Sequence, residues 1–135
     1  MVPPLPQQPC PCGRLQDGRA LALAHCCGRW ITGAAAAPDA ESLMRSRYTA
    51  FVLQDEPYLL DTWHASTRPA SAAWEPGTRW LGLEVRSHEC LDPDHAEVEF
   101  VARCRQSSGK AVRLHERSRF VREQGRWYYV DGELL

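Results

Sequence analysis

Two tight cysteine pairs near the start of the chain constrain its fold more than any other feature. A C-x-C pair occupies positions 10–12 and a C-C pair occupies positions 26–27. Four thiolates at this spacing can surround one tetrahedral ion, and Zn²⁺ suits soft sulfur ligands in a closed shell of four. Because the surrounding stretch has few large apolar side chains, a metal would supply the ordering energy that a core does not. The sequence predicts a zinc-binding module at 10–33, whose ligands are Cys10, Cys12, Cys26 and Cys27.

Other uses of these cysteines remain open at this point. Disulfides would have to join two vicinal cysteines to the first pair, and an iron–sulfur cluster would also use four thiolates. His25 precedes the second pair and could replace one thiolate. The residues after Met1 have neither a basic start nor an apolar run, so we expect no export signal and a reducing cytoplasm. Metal binding is the interpretation that we favour in such a compartment.

Length and charge limit the remaining possibilities. The chain has 135 residues and a net charge of -1, which fits one domain with one small module. Neither a strong positive field nor an apolar run of ~20 residues is present, so we expect no nucleic-acid or membrane partner. The composition divides the chain into a Pro- and Gln-rich mobile tail at 1–9, the cysteine module at 10–33 and a larger domain at 34–135.

The larger domain begins with a helical pattern. Asp39 can cap a helix whose apolar residues recur at helical spacing up to Val52. A second, shorter helix is predicted to start near Asp55 and to end around His64. Residues 65–79 are predicted to form a loop. Two helices therefore precede the rest of the domain.

From Trp80 onward the apolar period changes to two, which is typical of strands. Turn signals at 92–94, 107–109 and 124–125 divide this part into four strands of an antiparallel meander. Helices followed by a sheet make an α+β fold. A curved meander wrapped on helices leaves a concave space, which resembles the cystatin-like cone of the nuclear-transport-factor-2-like (NTF2-like) superfamily.

Several sequence runs also match one family in order. They are the two cysteine pairs, LMRSRYTAF at 43–51, TWH at 62–64, LHERSRF at 114–120 and WYYVDG at 127–132. The chain resembles the YchJ-like family of uncharacterised bacterial proteins. Its cysteine module is similar to the zinc motif (SEC-C) at the C-terminus of the SecA translocation ATPase. The resemblance implies zinc bound by the four cysteines and an NTF2-like domain behind them, but it implies no biochemical activity.

The interior of the predicted cone contains polar residues. Glu116 and Ser118 share the inward face of the third strand with apolar neighbours, and Arg47 lies at the edge of the facing helix. One interpretation is that Glu116 meets Arg47, directly or through one water, and fixes the helix on the sheet. The other is a ligand pocket, with or without acid–base chemistry. The candidate pocket residues are Arg47, Tyr48, Trp63, His64, Glu116 and Ser118.

The opposite face of the third strand is basic. Arg113, His115, Arg117 and Arg119 alternate along it, while Glu97 and Glu99 lie on the neighbouring strand. We expect these charges to pair across the sheet in a solvated face. Cys90 and Cys104 lie far along the chain from the module, and we expect them to be buried free thiols.

Two functions are compatible with these features. The first, which the similarity of the module to the protein-docking tail of SecA favours, is a cytoplasmic adaptor whose zinc module docks another protein while the cone serves as a scaffold. The second is a small-molecule binding protein or enzyme that uses the cavity around Glu116, Tyr48 and His64. The state of the cone interior distinguishes them, because a filled core favours the adaptor and an open cavity favours the binder. The sequence assigns no catalytic residues and leaves enzymatic activity open.

Overall fold

The computed structural model describes residues 6–72 and 76–135 and has the predicted order of helices before sheet. Among the helices within this part, none has the length and apolar character needed to span a bilayer. The helices and strands are β1 Leu15–Gln16, β2 Arg19–Ala20, α1 Gly28–Ile31, α2 Ala40–Leu53, α3 Glu56–Asp61, β3 Arg79–Asp92, β4 His95–Arg105, β5 Ala111–Glu123 and β6 Arg126–Leu134. This arrangement confirms the predicted α+β class.

Both main helices start where the sequence predicts, and an aspartate caps each of them. The Asp39 carboxylate accepts a hydrogen bond of 2.7 Å from the backbone N–H of Ser42, and α2 begins at the next residue. Asp55 caps α3 in the same way, through the N–H of Tyr58 at 3.1 Å. Helix α3 ends at Asp61 rather than around His64. The chain leaves the helix early because it joins β6, where the N–H of His64 donates to the carbonyl of Tyr129 at 2.7 Å.

The four long strands form one antiparallel sheet in the order β3-β4-β5-β6. This is the predicted meander. Its register shifts in β3 near Gly82, Ser87 and Asp92, and again where β5 pairs with β6 near Phe120. Such bulges bend a strand and increase its twist. The sheet can therefore curve around α2, and the space between them forms the interior of the cone.

The segment between the cysteine pairs forms a β-hairpin that the sequence analysis missed. Strands β1 and β2 pair with each other, and the turn residues Asp17 and Gly18 have φ angles of 53° and 76°. Positive φ at both central positions is the requirement of a type I′ turn, for which Asp-Gly is a preferred pair. The Asp-Gly pair at 17–18 is the signal in the sequence that indicates this hairpin.

The cysteine module packs directly on α2 instead of forming a separate unit. The four cysteines belong to the same contiguous core as Leu43 and Met44 of α2 and Phe120 of the sheet. Arg45 of α2 donates a hydrogen bond of 3.1 Å to the carbonyl of Cys12. Ala40 and Leu43 of α2 are buried in this shared core. The two predicted regions thus share one core.

The described part of the predicted tail at 1–9 is held in place by backbone hydrogen bonds. The carbonyls of Pro6 and Gln8 accept hydrogen bonds from the N–H groups of Ala24 and Leu23, at 2.9 and 2.8 Å. Residues 6–9 are therefore held by the cysteine module. The remainder of the predicted tail, residues 1–5, lies outside the described residues.

We predict that the substitution Gly28→Ala destabilises the module. A Cβ atom at position 28 would lie 2.6 Å from the carbonyl oxygen of Leu23, and this backbone atom cannot rotate away. Overpacking of this kind costs about 1–3 kcal/mol. Urea denaturation of the purified chain measures the loss. Gly82→Ala is the control, because a Cβ there meets no atom within 4 Å. Equal stability of the two variants would contradict this account of Gly28.

Candidate functional site

The four N-terminal thiols converge on one point. Their Sγ atoms all lie within 4.8 Å of one another, and those of Cys12 and Cys26 are 3.6 Å apart. A tetrahedral zinc ion with Zn–S bonds of ~2.3 Å places its sulfurs ~3.8 Å apart. The spacing of the thiols therefore fits a metal site. The structure brings all four predicted ligands together in a buried cluster that can hold a metal ion.

Local backbone structure positions the two pairs. The N–H of Cys10 donates to the carbonyl of Leu21 at 2.9 Å, which holds the first pair beside the segment that leads to the second. The second pair lies where the 3-10 turn at Leu23–His25 passes into α1. His25 is exposed and does not belong to the cluster. The possible replacement of a thiolate by His25 is therefore wrong for this structure.

The two remaining cysteines differ from the prediction. Cys90 is exposed and Cys104 is half-buried, so neither is the buried thiol that we expected. Both lie on strands of the sheet, Cys90 in the outer part of β3 and Cys104 near the end of β4. The alternation of a strand predicts which face of the sheet a side chain occupies. It does not predict whether that part of the strand extends beyond the helices that cover the sheet.

The thiols of the cluster influence one another strongly. Hydrogen bonds from Cys12, Cys26 and Cys27 lower the pKa of Cys10. The hydrogen bond with Cys10 raises the pKa of Cys27, and burial adds to this shift. Four thiolates together require a positive ion among them, because their charges otherwise repel in a buried site.

A cavity of about 180 Å³ lies between α2 and the inner face of the sheet. Aromatic and aliphatic side chains form most of its wall. Five of the six predicted pocket residues also line it, which confirms the predicted inward face of β5. These residues are Arg47, Tyr48, Trp63, Glu116 and Ser118.

Arg47 is a buried cation in this wall, with 7% of its surface exposed. Its Nη1 donates to the carbonyl of Leu59 at 2.8 Å and to the hydroxyl of Thr62 at 2.7 Å. The guanidinium carbon lies 5.0 Å from the ring centre of Trp63 and 4.6 Å from that of Tyr129. Burial lowers the pKa of Arg47 to about 10, which still leaves it charged at neutral pH.

The predicted direct contact between Arg47 and Glu116 is wrong. Within the described parts of the chain, the hydrogen bonds of Arg47 go to Leu59 and Thr62, and no ion pair joins it to a carboxylate. Arg47 instead links helix α2 to the C-terminal end of α3, through the neutral acceptors of Leu59 and Thr62. A bridge through one water stays a prediction. Arg47 and Glu116 therefore contribute two separate charges to the same cavity.

Glu116 is held by its own strand and by the neighbouring one. Its carboxylate accepts a hydrogen bond from the hydroxyl of Ser118. Gly132 of β6 pairs with Ser118, and a Cβ atom at position 132 would collide with the Glu116 carboxylate. The absence of a side chain at Gly132 thus provides the space for Glu116. Burial, followed by the nearby charge of Glu116, raises the pKa of Tyr129 to about 12, so this phenol stays protonated at neutral pH.

Trp63 contributes an unsatisfied donor to the cavity wall. Its Nε1 is buried and has no hydrogen-bond partner, the only such side-chain atom within residues 6–72 and 76–135. Its ring packs edge-on against Tyr129, with 5.2 Å between the ring centres. Buried donors in native proteins are nearly always paired. The missing partner of Trp63 Nε1 is therefore unusual and requires an explanation.

His64 does not line the cavity, although we predicted it as a pocket residue. Its Nε2 lies 3.0 Å from Glu123, and its Nδ1 lies 2.6 Å from the hydroxyl of Ser66. Trp63 forms an isolated parallel bridge with Tyr129, so this segment is locally extended. Neighbouring side chains of an extended segment point to opposite sides. Because Trp63 faces the cavity, His64 faces outward.

The charged outer face of the sheet is cross-paired, as predicted, through Glu99. His115 Nε2 lies 2.8 Å and Arg117 Nη2 lies 3.2 Å from the Glu99 carboxylate. The hydrogen bond from His115, followed by that from Arg117, lowers the pKa of Glu99. Arg119 departs from the prediction, because it pairs with Asp131 of β6 at 2.6 Å rather than with the expected Glu97.

Comparison with known proteins extends these findings. The profile of the family described as YchJ, middle NTF2-like domain, matches residues 39–132. A UPF0225 protein of Polaromonas naphthalenivorans is 61% identical over 132 residues, which cover 93% of this chain and 96% of that protein. A UPF0225 protein of another Polaromonas species is 64% identical, covering 96% of this chain and 95% of its own length.

Two solved structures are similar along nearly the whole chain. The solution structure of a SEC-C motif containing protein from Rhodopseudomonas palustris has a TM-score of 0.82 at 32% identity and covers 95% of this chain and 99% of that one. The crystal structure of a SEC-C motif containing protein from Psychrobacter arcticus has a TM-score of 0.76 at 31% identity, covering 92% of this chain and 81% of that one. Together with the cone fold and the cysteine cluster, these similarities show that the chain belongs to the YchJ-like UPF0225 family.

Proposed function

We propose that this protein binds a small molecule in the cone cavity and holds a structural zinc ion in the cysteine cluster. The observation that carries the proposal is the cavity itself, because it combines aromatic walls with a buried cation that has no carboxylate partner among the described residues. Of the two functions that the sequence allowed, the open interior supports the small-molecule binder.

Zinc is the metal that best suits the cluster. The site offers four sulfur ligands and nothing else, and all four cysteines are buried. Closed all-cysteine sites of this kind are structural, because no position is left for a water or a substrate. A bound ion would join the two cysteine pairs and neutralise their thiolates next to α2. Clustered thiols also require a reducing compartment, so we propose that the protein functions in the cytoplasm.

The cavity is larger than a packing defect. A core that served only as a scaffold could fill a space of about 180 Å³ with larger side chains at positions such as Ala102. Trp63, whose side chain lines the cavity, also has a buried Nε1 without a hydrogen-bond partner among the described residues. These features are expected of a binding site and are unfavourable for a scaffold.

Docking of a protein partner by the cysteine module is the second candidate function. Leu15 lies in the β1–β2 hairpin of the module, and 62% of its surface is exposed. The similarity of the module to the SecA tail, a protein-docking element, supports this candidate. The binding of a small molecule in the cone and the docking of a protein by the hairpin are compatible, because they use different surfaces.

We expect one zinc ion per chain in protein purified without chelator, because the four sulfurs form a complete ligand shell. The double substitution Cys26→Ser, Cys27→Ser should reduce the zinc content to near zero, since only two sulfurs would remain. Elemental analysis measures both values. Cys90→Ser is the control and should keep the ion, because Cys90 lies outside the cluster. Loss of zinc in the control, or a wild-type content far below one, would contradict the assignment.

The cavity should bind small aromatic probes, and filling it should prevent this. Benzyl alcohol, benzoate and benzylamine have similar sizes and differ in charge. We predict that wild-type protein binds at least one of them saturably, as measured by tryptophan fluorescence or isothermal titration calorimetry. Ala102→Leu should abolish the binding, because Ala102 lines the cavity. The matched control is Ala111→Leu, at an exposed position of β5. If none of the three probes binds saturably to wild type or to the Ala111→Leu control, the ligand site in the cone is refuted.

The docking candidate makes a separate prediction. If the hairpin contacts a protein partner, Leu15→Ser should remove that partner from the proteins captured from a cell extract. Leu91→Ser is the matched control, since Leu91 is similarly exposed, at 56%, but lies on β3. Quantitative mass spectrometry compares the two variants with wild type. Identical sets of captured proteins for wild type and Leu15→Ser would exclude the hairpin as the docking element.

A further inference from the structure

We infer that the ligand of the cone is a small aromatic carboxylate, about the size of benzoate, whose carboxylate pairs with Arg47. This inference rests on the proposed function, because it names the chemical class of the molecule that the cavity binds. It follows from three observations: the free edge of Arg47, the unpaired donor of Trp63, and the size and aromatic wall of the cavity.

One edge of the Arg47 guanidinium is free. Both of its hydrogen bonds, to Leu59 and Thr62, come from the same nitrogen, Nη1. The Nε and Nη2 groups make no hydrogen bond to any described residue. Arg47 lines the cavity and keeps 7% of its surface exposed. The Nε–Nη2 edge presents two parallel N–H groups, and this geometry matches the two oxygens of a carboxylate.

The unpaired donor of Trp63 belongs to a ring that lies close to Arg47. The guanidinium carbon of Arg47 lies 5.0 Å from the Trp63 ring centre. A carboxylate has lone pairs for three or more hydrogen bonds, so it can accept from both the guanidinium and the indole. A neutral or cationic group could not satisfy these donors equally well. A small side-chain adjustment would be needed to expose Nε1, since the atom is fully buried in this structure.

The size and the wall of the cavity favour one aromatic ring. A cavity of about 150 Å³ in another protein accommodates benzene, and this cavity measures about 180 Å³. The side chains of Tyr48, Phe51 and Trp80 line it and contact one another through their rings. An aromatic ring packs against such walls in edge-on or offset arrangements. The volume therefore accommodates one aromatic ring with a small substituent such as a carboxylate.

Glu116 limits where the negative charge can lie. Its carboxylate also lines the cavity and is held in place by Ser118 and by the space over Gly132. It would repel an anion placed near it, and its charge also acts on Arg47 and Tyr129. The ligand carboxylate must therefore contact the Arg47 guanidinium on the side away from Glu116.

The test compares benzoate, benzyl alcohol and benzylamine on the zinc-loaded full chain by isothermal titration calorimetry. We expect benzoate to bind at least ~10-fold more tightly than the other two, because charge-assisted hydrogen bonds are stronger than neutral ones. Benzoate should also shift the indole N–H resonance of Trp63 in NMR spectra, assigned with a Trp63→Phe variant. Equal affinities for the three probes, or tightest binding of benzylamine, would overturn the inference while leaving a binding cavity. Binding of none of them would instead refute the proposed function.

Two variants separate the contributions of the two charges. Arg47→Lys keeps the charge but removes the two-pronged edge, so the preference for benzoate should fall by ~10-fold. Since this residue is buried and its replacement can disturb folding, Glu116→Gln provides the independent arm. Removing the repelling charge should tighten benzoate binding several-fold and leave benzyl alcohol unchanged. Weaker binding of benzoate to Glu116→Gln would show that Glu116 recognises the ligand directly, and the inference would be wrong.

Discussion

Helix α2 lies between the cysteine cluster on one side and the inner face of the sheet on the other. Thr49 of this helix is 3.6 Å from the sulfur of Cys10, while Arg47 and Tyr48 line the cavity. A helix of 14 residues that is buried on two sides cannot move toward one neighbour without leaving the other. The position of the helix therefore determines both the geometry of the thiols and the volume of the cone.

The buried guanidinium of Arg47 illustrates how the cone tolerates a charge. Removing a cation from water is costly unless hydrogen bonds or other charges compensate. Two neutral acceptors and two aromatic faces provide part of this compensation on the helix side. On the cavity side the charge of Glu116 favours the charged form of Arg47 without forming an ion pair with it. An anion in direct contact with the guanidinium would compensate its charge further.

Local signals in the sequence predicted much of the fold. The caps at Asp39 and Asp55, the alternation of the strands and the turns between them all act within a few residues, and the structure confirms them. The clustering of the thiols was also predictable, because close pairs leave few geometries for four ligands. The hairpin turn at 17–18 could have been found from its Asp-Gly pair.

The remaining features depend on contacts between distant segments. His64 was assigned to the cavity because it follows a helix, but a hydrogen bond to β6 extends the chain there and turns the side chain outward. The sequence predicts a contact between Arg47 and Glu116 because opposite charges attract. In the structure the guanidinium donates its hydrogen bonds to acceptors at the nearby end of α3. The shared core of module and cone was missed because the composition of 10–33 indicates no core, while the surface of α2 supplies one.

The placement of Thr49 and Arg47 on one helix has a thermodynamic consequence. Thr49 contacts Cys10 and directly follows Tyr48, which lines the cavity, so the cysteine cluster and the cavity are built on the same rigid element. Suppose that a metal ion in the cluster changed the affinity of the cavity for the proposed ligand by some factor. Linkage would then require that the ligand change the affinity for the metal by the same factor. If the proposed metal is zinc and free zinc is scarce in the cell, the abundance of the proposed ligand would thereby influence how much of this protein carries the metal.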